Sequence, residues 1–406
     1  EQGGRLIQYV QIENNKWALE KAPGYVFFLV PFELLGIPRM ANVLLALGMV
    51  LVTYLLLKRL RDEKTACIGS LLVLFTPVSL IMLQRSYMAM FGAGSFLAIG
   101  GRLYIYSCLE QKRLKPVVGG LLLFLAVLFI SWSVVARYTN LLIAIVFALH
   151  FAITRLRLLF RGQQRQVALE TIPFGMGVGI PLAGLLIYHN AVFGSPFDYG
   201  YNYSPFPIKF AFQYIGAIGR GGESIPMRII EGNLQNMPVA LFIGFPLLLI
   251  AIPGLGYILY QKIAPLVRGR DRTKNKPDPW LELPWDILLV LIGWIICIFP
   301  LYMLYEWTAN PAMGNLSFIV VDRFYLPGLF PIAIITSLVI ARFPNKLIVI
   351  ILAICIIMGS VFYAQSAVSG MRLFPKDQPS PGAQQQPAIP SPALERMINK
   401  TREAVK

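Results

Sequence analysis

Ten runs of apolar residues recur along the chain, at about 40–57, 65–83, 88–106, 117–132, 138–154, 167–189, 237–261, 285–305, 326–341 and 346–364. At 1.5 Å per helical residue, runs of this length match a hydrocarbon layer about 30 Å thick. None alternates with the period of two that a membrane β-barrel needs. Several are apolar all round, as lipid-facing helices are. The pattern predicts an all-α polytopic membrane protein with about ten transmembrane helices. An eleventh run, 26–35, is too brief to span; it follows Pro23-Gly24 and contains Glu33, which predicts an interfacial or re-entrant helix.

The basic residues set the orientation. Alternate connections carry Lys58, Arg59, Arg61 and Lys64; Lys112, Arg113 and Lys115; Arg155, Arg157, Arg161 and Arg165; Lys262, Arg268, Arg270, Arg272, Lys274 and Lys276; and Arg342 with Lys346. These are nineteen of the 36 Lys and Arg residues, against only Arg85, Arg137, Lys209, Arg220, Arg228 and Arg323 in the intervening loops. The basic connections are therefore expected in the cytoplasm. That puts four polar regions on the extracytoplasmic side: residues 1–38 as a first loop with the interfacial helix, a long loop at 190–236, a loop at about 306–325, and the tail from 365. The bundle fills 39–364. The tail opens with a proline-rich linker at 375–392 and ends in a short amphipathic helix at 393–406, with Ser391 as N-cap and Pro392 at its first position. Such a helix is expected to pack on a further domain or on a membrane protein partner.

Composition narrows the class. Of 406 residues 56% are hydrophobic and 14% charged, against about 25% charged in soluble domains, and the mean hydropathy is +0.64. This excludes a disordered chain, a disulfide scaffold and a soluble enzyme. The net charge of +16 is largely the topology signal just described, so no nucleic-acid partner is needed. Cys67, Cys108, Cys297 and Cys355 fall in or beside apolar runs, where no disulfide is expected. No zinc-protease, P-loop, C-x-x-C or nucleophile-elbow motif is present. A divalent cation is the one cofactor left open. Glycines at 92, 94, 175, 177 and 179 are expected to allow close helix packing, and His150 to be a satisfied core histidine. His189, at the outer end of the sixth run, is a candidate site residue.

Charges at the outer membrane boundary carry the candidate chemistry, because ionisable groups beside lipid are costly. Asp322-Arg323-Phe324-Tyr325-Leu326-Pro327 stands where the ninth run begins, with the proline suited to a first helical turn. Arg323 is expected at headgroup depth, either holding a lipid phosphate or snorkelling as an anchor. Arg85 and Arg137 are candidates for a second phosphate contact.

Several segments resemble the GT-C membrane glycosyltransferases, which include bacterial and archaeal relatives of the dolichyl-phosphate-mannose:protein mannosyltransferases. Ala22-Pro23-Gly24-Tyr25 is similar to that family's PPGYP segment. Tyr188-His189-Asn190-Ala191-Val192-Phe193-Gly194-Ser195-Pro196 resembles its exit from a middle span, and Arg323-Phe324-Tyr325-Leu326-Pro327-Gly328-Leu329-Phe330-Pro331 its RYLLPALP run. The pieces occur in order over most of 20–345. The resemblance implies a polyprenyl-phosphate sugar donor, a protein, lipid or glycan acceptor, and inverting transfer with an acidic general base in the first outer loop. The family's base follows a first span; here that span is expected to precede the chain, and Glu1 stands as the second acid of the usual Asp-Glu pair. Tyr199 and Tyr201, with Phe193, Phe197 and Tyr203, would shape the sugar and acceptor cleft. The alternative is a non-catalytic GT-C-fold subunit of a membrane assembly. A turn at 84–88 without a carboxylate, where relatives often carry one, favours that alternative.

Overall fold

The structure, a computed structural model, describes residues 9–12, 16–83, 89–111, 113–204, 209–219, 222–268, 283–309, 317–341, 354 and 356–361. Among these, five helical stretches are long and apolar enough to cross a membrane. They are α2 (Arg39–Leu60), α6 (Pro116–Ala136), the 138–160 stretch that α7 (Leu141–Phe160) makes with a short 3-10 turn, α8 (Gln164–Phe193), and α11 (Trp285–Ile296) continued by α12 (Ile298–Met303). Bent pairs raise the number to eight. These are α3 (Glu63–Leu74) with α4 (Pro77–Leu83), α9 (Ile225–Gly244) with α10 (Leu248–Arg268), and α13 (Ser317–Leu329) with α14 (Ile332–Ile340). The described residues thus hold five to eight lipid-length spans rather than ten. Most of the tenth run lies outside them.

The third run, 88–106, forms α5 (Ala89–Glu110), which packs against α2, α6 and α13 and is buried over most of its length. A helix walled by protein rather than lipid need not be so apolar, and α5 carries Arg102, fully buried. Small residues let its neighbours close in. A Cβ on Gly100 would meet the α6 backbone at 2.6 Å. Gly177 of α8 likewise sits against Val127 and Phe124 of α6, whereas Gly175 and Gly179 face open space. The packing role expected of the α8 glycines therefore holds for one of the three.

The breaks between helices are where hydropathy misleads. Pro331 has no N–H, so the carbonyl of Pro327 loses its helical partner. The indole N–H of Trp294 takes that place at 2.9 Å. The Arg102 guanidinium donates to the Phe330 carbonyl at 3.0 Å. The α13–α14 pair bends by 55° there with both freed carbonyls satisfied from neighbouring helices, as backbone inside a bilayer must be. Helix α13 also starts well before the apolar run. Asp322 and Arg323 are mid-helix, and Pro327 is inside the helix rather than in its first turn.

Two features differ from the sequence reading. Helix α9 begins at Ile225, which shortens the loop expected at 190–236. An antiparallel hairpin of β1 (Tyr9–Ile12) and β2 (Lys16–Leu19), which the sequence reading did not expect, precedes α1 (Gly24–Leu34); the described residues are otherwise mostly helical, as an all-α membrane fold requires. Helix α1 itself, at 11 residues, is the short apolar helix expected there. The tail 365–406 lies outside the described residues.

Candidate functional site

The segment before α1 docks on the C-terminal end of α6. Gly24 is forced there: a Cβ would sit 2.7 Å from the backbone of Val135 and Ala136. Trp132 donates to the Gly24 carbonyl at 3.1 Å. The Tyr25 hydroxyl donates to Asn42 at 2.7 Å, and its ring covers Gly92 of α5. These contacts leave Glu20 and Lys21 beside Arg137, the residue that caps α6. A cation at a helix C-terminus is favoured by the helix dipole.

Arg137 is held on several sides. Its Nε donates to Thr139 Oγ1 at 3.0 Å, one terminal nitrogen to the Tyr302 hydroxyl at 2.6 Å, and the other to the Arg323 carbonyl at 3.5 Å. The guanidinium lies over the Phe324 ring, 5.1 Å from its centroid, and the Arg323 guanidinium also lies near that ring, at 5.2 Å. Lys21 completes the group. Partial burial, then the charges of Arg323 and Arg137, hold its ammonium below the ordinary lysine value, with Glu20 opposing. Three cations thus share one rim of the bundle. Tyr201 and Tyr305 border them. Burial first, then neighbours that include other tyrosines, pushes each phenol up to about 12, while the Arg137 charge pulls both the other way.

An aromatic wall continues from this cluster. His189 is buried at the end of α8, with Nε2 3.0 Å from the Tyr138 hydroxyl and Nδ1 3.3 Å from the Pro196 carbonyl. Tyr138 packs edge-on against Tyr199 and Tyr201, and Phe193 stacks on Tyr203. Gly200 closes the wall against the first loop, because a Cβ there would strike the carbonyls of Leu19 and Glu20. Ser204 donates to the Glu20 carboxylate.

The structure therefore brings Arg137, Arg323 and Tyr201 together and sets His189 and Tyr199 in the adjoining wall. Glu1 and Arg85 lie outside the described residues, as does the side chain of Asp322. Lys21, Tyr302 and Tyr305 are site residues that sequence reasoning passed over. The signal for Lys21 was its place two residues before Pro23-Gly24, whose docking fixes it. Among the described residues no group of three or more His, Cys, Asp or Glu could hold a metal ion. His150 bonds Tyr104 at 2.8 Å and faces Asp286 at 3.4 Å, a satisfied core histidine as expected.

No protein-family model and no curated protein matches the chain. Among solved structures it is similar to the Archaeoglobus fulgidus oligosaccharyltransferase in the apo form, with a TM-score of 0.51 and 11% identity over 90% of this chain and 49% of that one. The same enzyme tethered to an acceptor peptide with an NVT sequon gives 0.46, also at 11% identity, over 90% and 48%. The chain spans about half the length of that enzyme. The likeness to the apo form shows that the chain shares the fold of part of that enzyme.

Proposed function

We propose that the chain is a glycosyltransferase that moves a sugar from a polyprenyl-phosphate donor to an extracytoplasmic acceptor hydroxyl, with inversion. The observation that carries this is the group of three cations, Lys21, Arg137 and Arg323, at one rim of a GT-C-type bundle beside a wall of tyrosines. Guanidinium groups can hold a phosphate by paired, charge-assisted bonds. Aromatic faces suit sugar C–H surfaces. The acceptor oxygen attacks the anomeric carbon while the bond to the phosphate oxygen breaks. The electron pair leaves with the phosphate, and the cations oppose the charge that develops there. The hydroxyl proton passes to a carboxylate, for which Glu1 is the candidate. Glu20 keeps its place as the acid that ties the Ser204 loop to Lys21.

Transfer from a radiolabelled polyprenyl-phosphate sugar, followed in nanodiscs, tests the reading. Arg323→Ala is expected to lower turnover about 100-fold, the usual cost of losing one donor to a developing anion. Unchanged transfer would remove Arg323 from the site. Donor binding without transfer, whatever the acceptor, would mark the chain as a non-catalytic subunit instead.

Lys21 adds a pH signature. Its lowered pKa means that it loses its proton below pH 10.5, the ordinary value. Donor affinity should therefore weaken with rising pH earlier than an unperturbed lysine would allow. Lys21→Arg should flatten that limb, because arginine stays charged. Titrating affinity against pH for the two proteins checks this; coincident profiles would take Lys21 out of the phosphate contact.

A further inference from the structure

We propose a second, lipid-binding site at the opposite end of the bundle: a cavity between α5, α6, α7 and α8 that seats the phosphate headgroup of an anionic phospholipid. The cavity measures about 520 Å³, and its walls include Gln111, Lys115, Arg155, Arg165 and Glu170. Glu170 is already engaged. It pairs with Arg155 at 2.5 Å and accepts from Gln111. Lys115 and Arg165 are exposed and have no ion-pair partner among the described residues, so the cavity keeps a surplus of positive charge.

Two helix N-termini open on the same space. Lys115 and Gln163 are the N-cap positions of α6 and α8, and neither side chain caps its helix. The positive dipole ends of both helices, and the first N–H groups of α8 at Gln164, Arg165 and Gln166, therefore add to the side-chain charge; α6 begins with Pro116, which has no N–H to offer. The cavity is thus cationic, lined by both polar and apolar side chains, and large enough for a phosphate with its substituents.

Its setting selects a lipid over a free ion. Helix α6 runs 21 residues from this cavity to Arg137, about 30 Å, so the two anion-attracting ends lie one hydrocarbon thickness apart. Apolar side chains adjoin the mouth. Val117, Leu121 and Ile172 are 82%, 57% and 62% exposed. Val117 and Leu121 stand four residues apart, on one face of α6. A headgroup in the cavity can run its acyl chains down that face, which a soluble phosphate cannot use. Basic pockets between helices at a headgroup layer bind anionic lipids on the same physical grounds.

Native mass spectrometry on protein extracted from vesicles of equal phosphatidylglycerol and phosphatidylcholine tests this. Phosphatidylglycerol adducts are expected to exceed phosphatidylcholine adducts about tenfold, a difference near 1.4 kcal/mol. The double variant Lys115→Gln/Arg165→Gln should bring the ratio close to one. Lys58→Gln, a basic residue of the same end outside the cavity, should leave it unchanged. Equal adducts in the parent protein, an undiminished ratio in the double variant, or displacement by inorganic phosphate would each overturn the proposal. A photoactivatable phosphatidylglycerol gives a readout on the parent protein alone. Crosslinks are expected within 107–123 and 155–170, and crosslinks only elsewhere would refute the site.

Discussion

Replacing Arg137 with alanine is expected to cut sugar transfer by at least about 100-fold. Three directed contacts fix this guanidinium, to Thr139, Tyr302 and the Arg323 carbonyl. A guanidinium has five N–H donors, so it retains donors for a ligand while being held rigidly. Groups fixed in advance stabilise charge developing in a transition state without reorganising, and removing one such donor costs 100- to 1000-fold in rate. Lysine restores the charge but not the planar fork, so Arg137→Lys should recover little of the loss. Turnover and thermal unfolding need to be measured on the same preparations. Transfer at the parent rate in Arg137→Ala would refute the phosphate role. A fall in activity matched by unfolding at the assay temperature would make the residue a brace for Tyr302 and Thr139.

The second large effect is on stability. Trp294→Ala is expected to destabilise the folded protein by about 4 kcal/mol or more. Trp294 is fully buried against Gly101 and Phe147, and truncating a buried tryptophan costs about 3–5 kcal/mol. The substitution also orphans the Pro327 carbonyl, at a further cost of about 1–3 kcal/mol. Trp294→Phe keeps most of the ring volume and isolates that second part. Chemical unfolding in one detergent resolves the two. A phenylalanine variant as stable as the parent would show that the broken helix does not need the indole N–H.

These two residues mark what the sequence reveals and what it hides. Runs of apolar residues and alternating basic loops are visible in it because lipid and the charge rule act on local composition. Helices α2, α6, α7 and α8 follow those runs closely. The breaks near Phe75, Phe245 and Phe330 are not visible, because hydropathy adds side chains and ignores backbone hydrogen bonds. Pro331 announces a missing donor, but nothing local says that Trp294, 37 positions earlier, supplies the replacement. The site was legible in part. Arg137 and Arg323 stand out as charges at span ends, whereas Tyr302 reads as the tail of an apolar run and Lys21 as one loop charge among many. The role of Lys21 arises from the docking of 20–25 on α6, and that of Tyr302 from its bond to Arg137, both contacts between segments over a hundred residues apart. The hairpin at 9–19 escaped because it is too short to show a period.

Helix α6 also acts as a ruler. Its 21 residues carry no charge and no internal proline, and at their two ends stand Lys115 and Arg137. It is wedged between α5 and α8 and cannot tilt on its own to fit a different layer. A bilayer thicker than about 30 Å must therefore thin around the protein, at a fraction of a kcal/mol per Å of mismatch. The mismatch cost set by this helix is lowest in a membrane whose hydrocarbon depth already agrees with it.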